Sequence, residues 1–220
     1  MASSTRDRIL DAALDMFNGQ GERAITTNHI AKELGISPGN LYYYFRNKDE
    51  IILALFERLV TFLDARIALP SECRMTLNDK KQFLEAALEG MWAFRFIYRD
   101  VHGFVSRNDA LNNAWRQFAG ICLNRLRDIF RGLIEGGLMQ ATEKEVEALS
   151  FNCFMVMTSW YGLVDTIAVG DEQKVSKAIS SRLIYQILML DRGFITEAGR
   201  EFFAELEARY FQPVDWGIGE

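Results

Sequence analysis

Residues 26–51, TTNHIAKELGISPGNLYYYFRNKDEI, constrain this chain more than any other stretch. They read as two short helices joined by a tight turn, with a third helix starting at once. Thr27 is placed to cap the first helix, whose inward face is Ile30, Ala31 and Leu34. Gly35 stands where a helix stops in a left-handed conformation, which costs a glycine little. Ser37 then caps a new helix, with Pro38 at the first position, where a missing N–H is harmless. The segment 38–44 makes about two turns, and a helix that short is marginal by itself. A short helix held by a turn is nevertheless how a helix-turn-helix offers side chains to a DNA major groove.

The details fit that use. Ala31 is small where two helices must cross, and Ile36 and Leu41 are the apolar pegs after the turn. Ser37, Gly39, Asn40, Tyr42 and Tyr43 are left facing outward. They are short or planar polar groups suited to base edges and phosphate oxygens. Asn47 and Glu50 bracket Lys48 as a capping box for the next helix. A cation there gains nothing from the helix dipole, but a phosphate would be held by both the lysine and the helix end. The competing reading is a generic helical hairpin with solvated tyrosines. Against it, Tyr42, Tyr43 and Tyr44 cannot all be buried on one short helix.

With Ile30-Ala31, Leu34-Gly35-Ile36-Ser37, Gly39, Leu41-Tyr42-Tyr43-Tyr44-Phe45 and Lys48 in this order and spacing, the first fifty or so residues resemble the DNA-binding domain of the tetracycline-repressor (TetR) family. The resemblance implies a three-helix DNA-binding domain on a larger helical domain that binds an effector and dimerises. Carried onto these positions, Gly39, Asn40 and Asn28 are candidates for base-edge contact. Thr27, Ser37, Tyr42, Tyr43, Tyr44 and Lys48 are candidates for phosphate contact. Asn28 departs from the hydrophobic or basic residues more frequent at its place in the family.

Charge alone would not have suggested DNA. The chain of 220 residues has net charge −5, and its first 66 residues hold eight Lys/Arg against nine Asp/Glu. Binding must therefore rest on a few placed groups, with Arg46 beside the tyrosines and Arg6 and Arg8 in a possible N-terminal arm. The acidic remainder discourages non-specific DNA contact elsewhere. Cys73, Cys122 and Cys153 are odd in number and widely spaced, which suits reduced cytosolic thiols better than disulfides or a metal site. No apolar leader opens the chain, and the longest uncharged segment, 148–164, is short for a membrane span. A cytoplasmic location without membrane contact is expected.

Helical spacing of apolar residues recurs almost throughout, with no competing strand pattern, so the class is all-α. A helix over 5–18 packs behind the motif. A helix over 48–68 connects to the rest and ends at Pro70. Further helices are expected over 79–98 with an Asn78 cap, 100–107, 109–135, 142–169, 171–193 and 196–211. Thr142 and Glu145 form a capping box, and Asp171 is a candidate cap. The division that follows is a DNA-binding domain over 1–50, a connecting helix over 51–70, an effector-binding and dimerisation domain over 71–212, and a tail over 213–220.

Two uses compete for apolar surface in the second domain. One is a homodimer through helices near 143–169 and 172–192, since two-fold dimers read two half-sites of a palindromic operator in double-stranded DNA. Trp160, Leu163, Val164 and Ile167 on the first of these, and Val175, Ile179, Leu183, Ile184, Ile187, Leu188 and Leu190 on the second, form a wide stripe. The resemblance implies that these two helices form a four-helix interface, and ordinary core helices are the other reading. The second use is a small-molecule effector site, with Trp92, Phe96, His102, Trp115, Phe118, Phe151 and Met155 as candidate contacts. Catalysis has little support. His102 has no nucleophile near it in sequence, and no phosphate loop, HExxH or di-iron motif appears. No cofactor or metal is expected. The expected function is a ligand-responsive homodimeric repressor, with a helical small-molecule-binding protein lacking DNA function as the alternative.

Overall fold

The computed structural model describes residues 4–67, 75–167 and 177–211. The described residues form α1 (Thr5–Gln20), α2 (Thr27–Glu33), α3 (Pro38–Tyr44), α4 (Lys48–Arg66), α5 (Leu77–Ala93), α6 (Arg95–Arg99), α7 (Val101–Arg107), α8 (Asp109–Glu135), α9 (Glu143–Ile167), α10 (Lys177–Asp191) and α11 (Arg200–Tyr210). The expected all-α class is the class found. A lone antiparallel bridge, Met139 to Ile195, is the one β contact among the described residues.

Helices α1 to α3 and the start of α4 close around one apolar centre. Ile9, Ala13 and Phe17 of α1 meet Ile30, Leu41 and Ile51, all fully buried. Burial of a large apolar side chain contributes roughly 1.5–3 kcal/mol, which offsets the poor intrinsic stability of α2 and α3. Helix α4 leaves this cluster and enters the second, where it packs on α5. The approach is close at Gly90, where a Cβ would lie 2.7 Å from Cδ2 of Leu63.

Several expected boundaries move, each for a local reason. Thr26, not Thr27, caps α2, because its hydroxyl accepts from the His29 N–H at 3.3 Å. The helix expected over 79–98 starts earlier, capped by Thr76, and breaks at Phe94 into α5 and α6. The break is tolerated because Asn18, on α1, serves the groups it frees. Asn18 Nδ2 donates to the Ala93 carbonyl at 2.8 Å, and its Oδ1 accepts from the Phe96 N–H at 3.1 Å. The Thr142–Glu145 box forms as expected, with Glu145 accepting from the Thr142 N–H at 2.6 Å. Asp171, Val175 and the tail over 213–220 lie outside the described residues.

Deep in the second domain, Lys80 of α5 and Asp191 at the end of α10 form a fully buried ion pair. The ammonium also sits 5.0 Å from the Phe130 ring centre. Burial pushes the Asp191 carboxyl up against the opposing pull of Lys80. The other carboxylate oxygen, Oδ1, has no hydrogen-bond partner.

Candidate nucleic-acid interface and internal cavity

The turn between α2 and α3 follows from a few residues. Gly35 has φ 65°, which lets its N–H reach the Lys32 carbonyl at 3.1 Å while the Ile36 N–H reaches that of Ala31 at 3.0 Å. This pair of bonds satisfies the free carbonyls at the end of α2. Ser37 Oγ accepts from the Asn40 N–H at 3.2 Å and starts α3, with Pro38 in its first turn. Leu41 is the one buried residue of α3. Tyr44 is half-buried, and the rest of the helix faces outward. Gly39 and Asn40 are exposed, and Tyr43 is 82% exposed.

The expected contact residues cluster on this surface, with differences. Asn28, Ser37, Gly39, Asn40, Tyr42 and Tyr43 are exposed. Thr27 is half-buried at the start of α2, and its hydroxyl pairs with the Tyr42 hydroxyl at 3.1 Å, which ties α2 to α3. Tyr44 is half-buried and stands edge-on to Tyr43 at 5.1 Å. Lys48 departs most from expectation. Its ammonium donates to the carbonyls of Glu22 and Ile25 at 3.1 and 3.0 Å and pairs with the Glu22 carboxylate at 2.8 Å. Three donors meet three internal acceptors, so Lys48 holds the start of α4 to the 3-10 turn Glu22–Ala24. The capping box expected beside it is also displaced. Asn47 caps α4, but Glu50 accepts from the Arg46 N–H at 2.8 Å instead of that of Asn47.

A second polar cluster joins this domain to α6 and α7. The buried Glu22 carboxylate is shared between Lys48 and Arg107 of α7, each at 2.8 Å. Arg23 pairs with Asp100 at 2.5 Å, and Arg99 donates to the Asn18 carbonyl at 3.1 Å. Phe17 of α1 meets Phe96 of α6 at 5.2 Å. The partners are far apart in sequence, so no local pattern could have announced them.

The internal cavity lies between α4, α5, α6, α8 and α9. Its volume is about 490 Å³. Of the expected effector contacts, Phe118 alone lines it. Phe96 is buried in the joint with α1 and α7, and Trp115 faces a smaller gap beside Phe56. Trp92 is half-buried against Tyr161, and His102 is exposed. Phe151 and Met155 point outward, 57% and 49% exposed. Sequence proximity in the aromatic stretch misled because successive helical residues point in different directions. The lining includes Leu63, Met91, Tyr98, Cys122 and Arg125. One clue was available in the sequence, since Phe118, Cys122 and Arg125 follow helical spacing and place a charge on an apolar face. Burial pushes the Cys122 thiol up to about 12.

Of the expected dimer stripe, Leu163 alone among the described α9 side chains is exposed, beside two of the expected effector contacts, and the side chains of Ile167 and Ile179 lie outside what is described. Phe151, Met155 and, at 51%, Leu163 form an exposed row along α9. On α10, Leu183, Ile184, Ile187 and Leu188 face the chain's own core and are fully buried. Trp160 and Val164 of α9 are buried likewise. Among the described residues no His/Cys/Asp/Glu group could hold a metal, and no helix is long and apolar enough to cross a membrane.

Two family profiles match the chain. One, described as bacterial regulatory proteins of the tetR family, matches residues 9–55, and one described as bacterial transcriptional repressor matches residues 58–203. A TetR-family transcriptional regulator from Marinobacter aquaeolei VT8 has a crystal structure that superposes with TM-score 0.86 at 36% identity, over 94% of this chain and 99% of that one. An HTH-type transcriptional regulator of Staphylococcus aureus (strain USA300) is 26% identical over 134 residues, 61% of this chain and 69% of its own. The SmeT–triclosan complex shares the fold, with TM-score 0.60 at 16% identity over 90% of this chain and 94% of that one.

Proposed function

This chain belongs to the TetR family of bacterial transcriptional regulators, a family of DNA-binding proteins rather than enzymes, and on that premise we propose a cytoplasmic homodimeric repressor released from its operator by an apolar small molecule. The observation that carries the reading is α3, which buries Leu41 alone and leaves Gly39, Asn40 and Tyr43 in solvent. Asn40 suits bidentate contact with an adenine edge, and Gly39 lets the backbone come close. Ser37, Tyr42 and Tyr43 are placed to meet phosphates, with Thr27 and Tyr44 beside them. Lys48 acts behind this surface by holding α4 against Glu22.

Dimerisation is supported by the row Phe151, Met155 and Leu163 on α9, since an exposed apolar row of this kind marks an interaction site. A two-fold pair would repeat the row on both subunits and present two copies of α3 to a palindrome. An effector is supported by the apolar cavity, whose wall includes Leu63 and Ile67 of the connecting helix and the residue after it. A ligand wedged there bears on α4 directly, and α4 begins in the DNA-binding domain. The SmeT–triclosan complex shows that another protein of this fold takes up a small molecule.

The test is selection of DNA fragments by the purified protein, repeated with fractions of small-molecule cell extract. Enrichment of a palindrome, and its release by one fraction, is the expected result. Failure to enrich any sequence, with the protein folded, would overturn the repressor reading. A monomer at micromolar concentration would overturn the dimer.

A further inference from the structure

Among the described residues, the internal cavity has one charged side chain in its lining, Arg125 of α8, and that side chain is tied to the connecting helix. Its Nη2 lies 2.6 Å from Oδ1 of Asp64 on α4. The Arg125 side chain is 25% exposed, whereas that of Asp64 is 51% exposed. The other polar lining groups are engaged or neutral. Thr158 donates its hydroxyl to the Phe154 carbonyl at 2.8 Å. Burial raises the Tyr98 hydroxyl and the Cys122 thiol, so neither supplies a negative charge.

We propose that the effector is an apolar molecule with one anionic head, such as a carboxylate, and that its head takes Arg125 from Asp64. The inference rests on the ligand-responsive reading given above and specifies the ligand's charge class. A cationic head would meet the guanidinium and find no free counter-charge in the lining. A neutral ligand would gain apolar burial alone. A carboxylate presents two acceptors to the planar guanidinium and makes charge-assisted bonds with it beside an apolar lining. The displaced Asp64 loses little, because a half-exposed carboxylate is readily hydrated. The exchange also dissolves an ion pair between α8 and α4, so ligand binding and the position of α4 become linked through one side chain.

The test uses the full-length protein with octanoate and octan-1-ol as probes, matched in length and differing in charge. Calorimetric titration is expected to show octanoate binding roughly tenfold or more tightly than the alcohol. Arg125→Met should abolish that preference while the alcohol still binds, and Asp64→Asn should strengthen octanoate binding by removing the competitor. Asp64 is half-exposed, so its variant keeps the test sound if Arg125→Met does not fold. Equal binding of both probes by the unaltered protein, or no gain in Asp64→Asn, overturns the charge assignment and leaves the cavity as an apolar ligand site. Binding of neither probe overturns this inference, whereas the ligand-responsive reading falls only if no extract fraction releases the operator.

Discussion

Helix α3 buries one of its seven residues, Leu41, while α5 buries six of seventeen, a lysine among them. In the first, backbone hydrogen bonds at Gly35 and Ser37, the Leu41 peg and the Thr27–Tyr42 hydroxyl pair do most of the holding, so Gly39, Asn40 and Tyr43 are free to contact something else. In the second, side chains hold the helix to partners far along the chain, and Lys80 reaches Asp191 across more than a hundred residues. A surface built by local bonds can change its outward residues at little cost in stability. A domain built by distant contacts cannot. Function and stability should therefore separate cleanly between the two regions.

The largest effect is expected where that separation is most extreme. Asp191→Ala leaves the Lys80 ammonium buried without its partner and should cost about 3–5 kcal/mol of stability. Urea unfolding would measure it. The paired replacement Lys80→Met with Asp191→Leu should recover most of the loss, because burying two apolar groups avoids desolvating two charges. A small effect of Asp191→Ala would show that water reaches this pair.

In the DNA-binding domain the order should reverse. Asn40→Ala is expected to weaken operator binding by about 1–3 kcal/mol and relax preference at one base pair. Its melting temperature should stay near that of the unaltered protein, since Asn40 is exposed and contributes its backbone N–H, not its side chain, to the start of α3. Fluorescence anisotropy on the selected operator reads the first quantity and thermal unfolding the second. A variant that lost stability as much as affinity would break the comparison. Lys48→Ala tests the same line from the other side. With its ammonium held by Glu22 and Ile25, it should unsettle the domain as well as weaken binding.

Asn18→Ala sits at the joint between the regions. It strands the Ala93 carbonyl and the Phe96 N–H where α5 breaks into α6, at about 1–3 kcal/mol for each buried group left unpaired. Hydrogen exchange should report the loss at Phe96 first.

The smallest effect is electrostatic. Arg131 holds the Glu143 carboxyl below its ordinary 4.5, Thr142 does the same for Glu145, and Arg127 for Glu147. Carboxyls lowered in the folded state add stability that is complete above 4.5 and disappears as pH falls through the lowered folded values. Acid titration should therefore loosen the start of α9 below pH 4.5, with little change above it. All three groups are at the surface, so the change should be slight.

What could be read without coordinates follows the same division. Gly35, Ser37, Pro38 and the Thr142–Glu145 box act within a few residues of themselves, and the backbone answers them wherever the chain goes. Helical periodicity likewise settles the all-α class, because it depends on spacing alone. The sequence therefore determined the turn, the short helix after it and the helical character of the rest. Tertiary structure decided which way the apolar residues face. It turned Phe151 and Met155 to the surface, drew Phe96 into the joint with α1, and set Leu63 and Arg125 around the cavity. It gave Lys48 internal partners that its place at a helix start did not reveal. Those outcomes depend on groups that meet only after the chain has folded back on itself, and one-dimensional spacing carries no record of such meetings.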